Sequence, residues 1–176
     1  PLMLAAGMRL EGVVLLSPAL DYNSNCAVFA PATISCEGFL PSYGQTGAWF
    51  ELTRPVPTDA DAYAELLRDF AATTYGPAAT AWAASRTPPS AELLGQLVDL
   101  TGAPLDVWTA NVDLDAYTFR TALRPGQLLG RYDARISAPT NSPLAAQGDP
   151  SSTLISLILR PCTPPLACAS PARRAR

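Results

Sequence analysis

Leu10-Glu-Gly-Val-Val-Leu-Leu-Ser-Pro-Ala-Leu-Asp-Tyr-Asn-Ser-Asn-Cys26 leads through a loop to Cys36, and the chain resumes as Gly38-Phe-Leu-Pro-Ser-Tyr-Gly-Gln-Thr-Gly-Ala-Trp-Phe50. Gly12 to Leu16 is a short apolar run rich in aliphatic and β-branched residues, and Pro18 stops it. Such a run reads as a strand buried on both faces, the kind found in a parallel sheet. An interior strand needs neighbours on both sides, yet no second run of this quality occurs in the chain. The expected class is therefore α/β, with a single core strand and little of the sheet it was made for.

Outward from this strand, Leu2 to Met8 reads as the end of a helix, with Gly7 and Arg9 as stop signals. Helix end, short link and strand form the second half of a βαβ unit. Asp21 to Glu37 carries turn chemistry, because its Asp, Asn and Ser side chains bond their own backbone. Leu40 to Glu51 is expected to be helical, with Pro41 in the first turn. Thr58 is expected to cap the next helix, whose buried face is Tyr63, Leu66, Leu67 and Phe70, and Gly76-Pro77 to break it. A further helix carries Trp82 and ends before Pro88. Ser90 caps Ala91 to Leu100, with Gly102 beyond its end. Pro104 opens a short helix through Trp108, and Asp113 or Asp115 caps the last. Gln127 to Ile136 reads as a short extended segment. Short amphipathic helices in series suit a cap laid over a sheet better than a bundle of long helices.

The expected organisation is thus residues 1–37 as part of an α/β core, 38–149 as a helical cap with its return segment, and 150–176 as a disordered Pro- and Arg-rich tail. All fifteen acids and eight of the twelve arginines fall in the first 149 residues, which carry −7, against +4 for the tail. Arg173, Arg174 and Arg176 at the terminus are too few to mark a nucleic-acid or lipid partner. No apolar run approaches the ~18 residues that a membrane span needs. An apolar fraction of 48% is that of a globular chain.

There is no histidine. The usual general base near neutral pH, and the base of a Ser-His-Asp arrangement, is therefore missing from this chain. No cofactor or metal site is expected, since no His/Cys ligand pattern or phosphate loop is present; Gly126 and Gly130 are not followed by Gly-Lys-Ser/Thr. Of the four cysteines, Cys26 and Cys36 bracket a loop. They form either a local disulfide or two free thiols, while Cys162 and Cys168 sit in the tail.

Each candidate for chemistry has a plain structural explanation. Pro41-Ser42-Tyr43-Gly44 superficially looks like a nucleophile motif, but the elbow requires Gly-x-Ser-x-Gly and position 40 is Leu. Ser42 is read as a first-turn residue. Ser17 and Asp21 follow the strand, where open α/β sheets bind ligands, and Asp21 is read as a turn or capping residue. Asp59 with Asp61, and Asp113 with Asp115, are explained by helix starts. Trp49, Trp82 and Trp108 are read as core or cap-to-sheet contacts. Arg131, Tyr132, Asp133 and Arg135 are read as a local ion pair beside an aromatic. No catalytic residue is assigned.

Gly12 to Ser17, Asp21-Tyr22, Asn25-Cys26, Leu40-Pro41-Ser42-Tyr43 with Ala48-Trp49-Phe50, Gly130-Arg131-Tyr132-Asp133-Ala134-Arg135 and Gly148-Asp149-Pro150-Ser151-Ser152 together resemble the bacterial branch of the serine carboxypeptidases. The resemblance covers about residues 8–153. It implies a fragment of an α/β-hydrolase fold, one core strand plus a mainly helical cap region. It also implies a parent that hydrolyses C-terminal peptide bonds of a peptide substrate through a serine acyl-enzyme. The family's Gly-Glu-Ser-Tyr-Gly elbow would lie before residue 1, and its Asp and His after residue 153, where the resemblance stops and the tail has the look of a shifted reading frame. The resemblance further implies a secreted or periplasmic parent and favours a Cys26–Cys36 disulfide. Two other readings stay open: a non-catalytic helical binding module, and a piece of a related esterase or acyltransferase.

Overall fold

The computed structural model describes residues 35–152, together with Gly7 and Cys26. The chain divides into two compact units, Pro1–Ile34 and Ser35–Arg176. The strand expected at Gly12 to Leu16, the helix end before it, and Ser17 and Asp21 lie outside the described residues, as do residues 153–176. The described residues 35–152 are mainly helical with a two-stranded antiparallel sheet, which fits a small cap-like region.

A single 3₁₀ turn at Glu37–Phe39 leads into α1, Leu40–Trp49, with Pro41 in its first turn as expected. Next comes α2, Ala60–Phe70, whose cap is Asp59 rather than Thr58. The Asp59 carboxylate accepts from the N–H groups of Asp61 and Ala62. It reaches donors that a hydroxyl one residue earlier cannot, and its charge suits the helix's positive end. Tyr63 and Leu67 are buried and Phe70 is half-buried, but Leu66 is 49% exposed and does not belong to the inner face.

Gly76-Pro77 does not break the helix. The chain widens into a π-helical turn at Ala71–Tyr75, and α3, Gly76–Ser85, follows without interruption. The Gly76 N–H donates to the Ala71 carbonyl, five residues back. A widened turn is one way a helix admits a proline, which lacks an N–H and collides with the carbonyl four residues before it. Arg86, in the left-handed region, ends α3.

Ser90 caps α4, Ala91–Thr101, and Gly102 closes it with φ +71°, both as the sequence predicts. Next is α5, Leu105–Ala110, and then α6, Ala116–Ala122, which is capped by Asp115. Asp113 caps no helix; its carboxylate accepts from Ser35 Oγ at 3.1 Å and from the Cys36 N–H at 2.7 Å. The expected extended segment is confined to β1, Gln127–Leu129, which pairs antiparallel with β2, Ser137–Pro139, with Leu128 opposite Ala138. A short α7, Pro143–Ala146, packs on β2. Pro150 to Ser152 are helical, with Pro150 and Ser151 buried.

The core lies where α1 packs on α2 and α4, α4 on α5, and α6 on β1. Leu40, Leu67, Tyr75, Leu97, Trp108, Val112, Leu114 and Leu129 are fully buried. Each aliphatic or aromatic side chain so buried contributes about 1.5–3 kcal/mol. Tyr43 stacks on Phe119 at 4.1 Å, and Trp108 meets Tyr75 edge-on at 5.9 Å. The polar tips of these rings are satisfied. Tyr43 Oη donates to the Leu114 carbonyl, Tyr75 Oη to that of Val112, and Trp108 Nε1 to Thr101 Oγ1. Burial raises the pKa of both tyrosine hydroxyls well above the usual phenol range. Trp108 is thus the core residue the sequence leads one to expect. Trp82 is half-buried beneath the Arg86 guanidinium, 4.0 Å from its ring, and Trp49 is 59% exposed and lies outside the core.

Candidate functional site

The described residues 35–152 enclose an open groove of about 700 Å³. One side is the outer face of α1, with Ser42, Gln45 and Trp49 a helical turn apart. Pro57, Ala60 and Tyr63, at and just before the start of α2, also line the groove. The other side is the connection from β1 to β2, residues 131–135.

That connection is fixed by its backbone. The Gly130 N–H donates to the Ile136 carbonyl and the Ile136 N–H to that of Asp133. The Arg131 N–H donates to Asp149 Oδ1 at 2.8 Å, and the Tyr132 N–H to Ser151 Oγ at 3.1 Å. Asp149 Oδ1 also accepts from the N–H and the hydroxyl of Ser151. A Cβ at Gly130 would collide with the Asp133 carbonyl and the Ser151 side chain, so only glycine allows this approach.

Arg120, buried behind this wall, donates from Nε to the Leu129 carbonyl at 2.8 Å and from Nη2 to that of Gly148 at 3.0 Å. Burial lowers its pKa, partly offset by the charge of Asp149. For Asp149 burial pushes the other way, but hydrogen bonds from Ser151 and from the Arg131 N–H, with the nearby Arg120, hold its carboxyl below the usual range. Asp149 Oδ2 is buried and has no hydrogen-bond partner.

From this fixed wall the side chains project to solvent. Arg135 forms a two-pronged pair with Asp133, Nη2 to Oδ2 at 2.7 Å and Nε to Oδ1 at 2.8 Å, and lies over the Trp49 ring at 5.4 Å. The expected local ion pair is present, and hydrogen bonds from Arg135 hold Asp133 below the ordinary carboxylate range. Arg131 lies 6.0 Å from the ring of Tyr132, which is 71% exposed.

Several residues singled out in the sequence therefore meet here: Ser42, Trp49, Arg131, Tyr132, Asp133 and Arg135. Ser42 is an exposed residue in the first turn of α1. Asp59, Asp61, Asp113 and Asp115 do not join them and do structural work at helix starts or at Cys36. Among the described residues no group of three His, Cys, Asp or Glu side chains is placed to hold a metal ion. Nor is any described helix long and apolar enough to cross a membrane. Cys26 and Cys36 are both disulfide-bonded. The anchoring role of Asp149 and Ser151 is not visible in the sequence, where the folded unit is expected to end at residue 149. No protein-family model, curated protein or solved structure matches this chain.

Proposed function

We propose that this chain is the cap-bearing portion of a serine carboxypeptidase-like α/β hydrolase and carries no chemistry of its own. The observation that supports this most is an interlock. Two of the segments that resemble the family, Gly130–Arg135 and Gly148–Ser152, are bonded to each other through Asp149 and Ser151, and the first of them lines the groove. A third, Leu40–Phe50, supplies the opposite side as α1. The parent reaction is hydrolysis of a C-terminal peptide bond through an acyl-enzyme. The part of a cap in such a reaction is to position the peptide and exclude water, not to move protons.

What the chain lacks accords with this reading. It has no histidine, and Ser42 is on the first turn of a helix rather than on a strained strand-to-helix turn. The disulfide-bonded Cys26 and Cys36 support an oxidising compartment for the parent. An N-blocked dipeptide incubated with the purified chain is expected to stay intact at acidic and neutral pH. Sustained turnover that Ser42→Ala abolishes would overturn the assignment.

The second reading, a helical binding module without chemistry, is favoured by the core of the 35–152 unit, which closes around Tyr43, Tyr75, Trp108 and Phe119. An esterase or acyltransferase parent rests on the same support as the peptidase.

A further inference from the structure

We infer that the groove between α1 and the β1–β2 connection is a docking site for a peptide segment presenting one side-chain carboxylate beside an apolar or aromatic side chain. This inference does not depend on the hydrolase reading, because every residue it uses belongs to the 35–152 unit.

The charge arrangement is selective. Asp133 and Arg135 neutralise each other in the groove. Among the described residues Arg131 makes no ion pair, so the groove retains one uncommitted guanidinium. It does so on a chain of net charge −3. A single cation of this kind matches a single carboxylate, with which a guanidinium bonds in a planar fork. A phosphodiester chain would bring one negative charge per nucleotide onto an acidic protein with one cation to receive them. Trp49 and Tyr132, 59% and 71% exposed, are large apolar surfaces beside that cation. Aromatic and arginine side chains set together on a surface are the usual anchors of protein recognition.

The backbone argues for a built site and also names the source of the carboxylate. The N–H groups of Arg131, Tyr132 and Arg135 are already bonded, to Asp149, Ser151 and Asp133 respectively. This fixes the wall before any ligand arrives and lowers the ordering penalty of binding. It also leaves these N–H groups unable to form the backbone nest that captures a terminal carboxylate. With these three N–H groups withdrawn, a side-chain carboxylate reached by the guanidinium is the ligand the groove favours.

The test is fluorescence anisotropy on the full chain with a labelled peptide blocked at both ends, acetyl-Ala-Phe-Glu-Phe-Ala-amide, and its Gln counterpart. Saturable binding is expected, with the Glu peptide held about tenfold more tightly, the usual worth of a charge-assisted hydrogen bond. Arg131→Gln is expected to remove that preference and Arg131→Lys to keep part of it, while Trp49→Ala weakens both peptides. Arg86→Ala, which changes an arginine outside the groove, should alter nothing. Absence of saturable binding, equal binding of the Glu and Gln peptides, or tighter binding of a peptide with a free C-terminus overturns the proposal. Tighter binding of a short oligothymidylate does so too.

Discussion

Thr101 shows how one hydroxyl organises a core. Its Oγ1 donates to the Leu97 carbonyl and accepts from both Trp108 Nε1 and the Ala103 N–H. Thr101→Val keeps the shape but strands two buried donors, so it is expected to destabilise the unit by about 1–3 kcal/mol in urea unfolding. Two glycines make opposite predictions. A Cβ at Gly47 would sit on the Thr101 carbonyl where α1 crosses α4, whereas one at Gly95 would meet nothing within 4 Å. Gly47→Ala is expected to cost about 1–3 kcal/mol, and Gly95→Ala to stabilise by about 0.5–1 kcal/mol. Asp149 makes a pH prediction. Its folded-state carboxyl lies below the ordinary range, so its contribution to stability is present above about pH 4 and is lost as pH falls through the folded value. Asp149→Asn should lower stability at pH 7 and make the acid limb shallower. Asp133 shifts the same way but pairs with an Arg135 side chain that is 59% exposed, so its share should fade in salt.

At the scale of the element, caps and packing can be weighed against one another. Asp115 accepts from the N–H groups of Tyr117 and Thr118 and from the Thr118 hydroxyl, at the start of the helix that carries the buried Phe119. Asp115→Ala should therefore lower the unfolding free energy by about 1 kcal/mol. The same change at the exposed Asp59 should do less. Local signals of this kind are legible in the sequence: the Ser90 cap, the Gly102 stop and Pro41 in a first turn each act within a few residues. Gly76-Pro77 misleads because its local meaning is a break, whereas tertiary packing around the buried Tyr75 holds a widened helix through it. Of the two roles read for Trp49, core or cap-to-sheet contact, the first does not hold, because helical spacing gives the face of a residue but not what covers that face. The groove itself is half legible. The dense run Arg131-Tyr132-Asp133-Ala134-Arg135 carries the signal, but the meeting of that run with α1 depends on Asp149 and Ser151, some 18 residues further along.

For the whole molecule, the 35–152 unit is a helical cap-like body with its own core and a pre-arranged groove, on a chain that has no histidine. The proposal that it serves a serine carboxypeptidase-like hydrolase makes its sharpest prediction outside the unit. The measurement is the nucleotide sequence on either side of this coding region, read in all three frames. The account predicts a Gly-x-Ser-x-Gly elbow encoded upstream, and an Asp followed by a His encoded downstream. Flanking sequence without either element would contradict it and leave a binding module whose function rests on the groove.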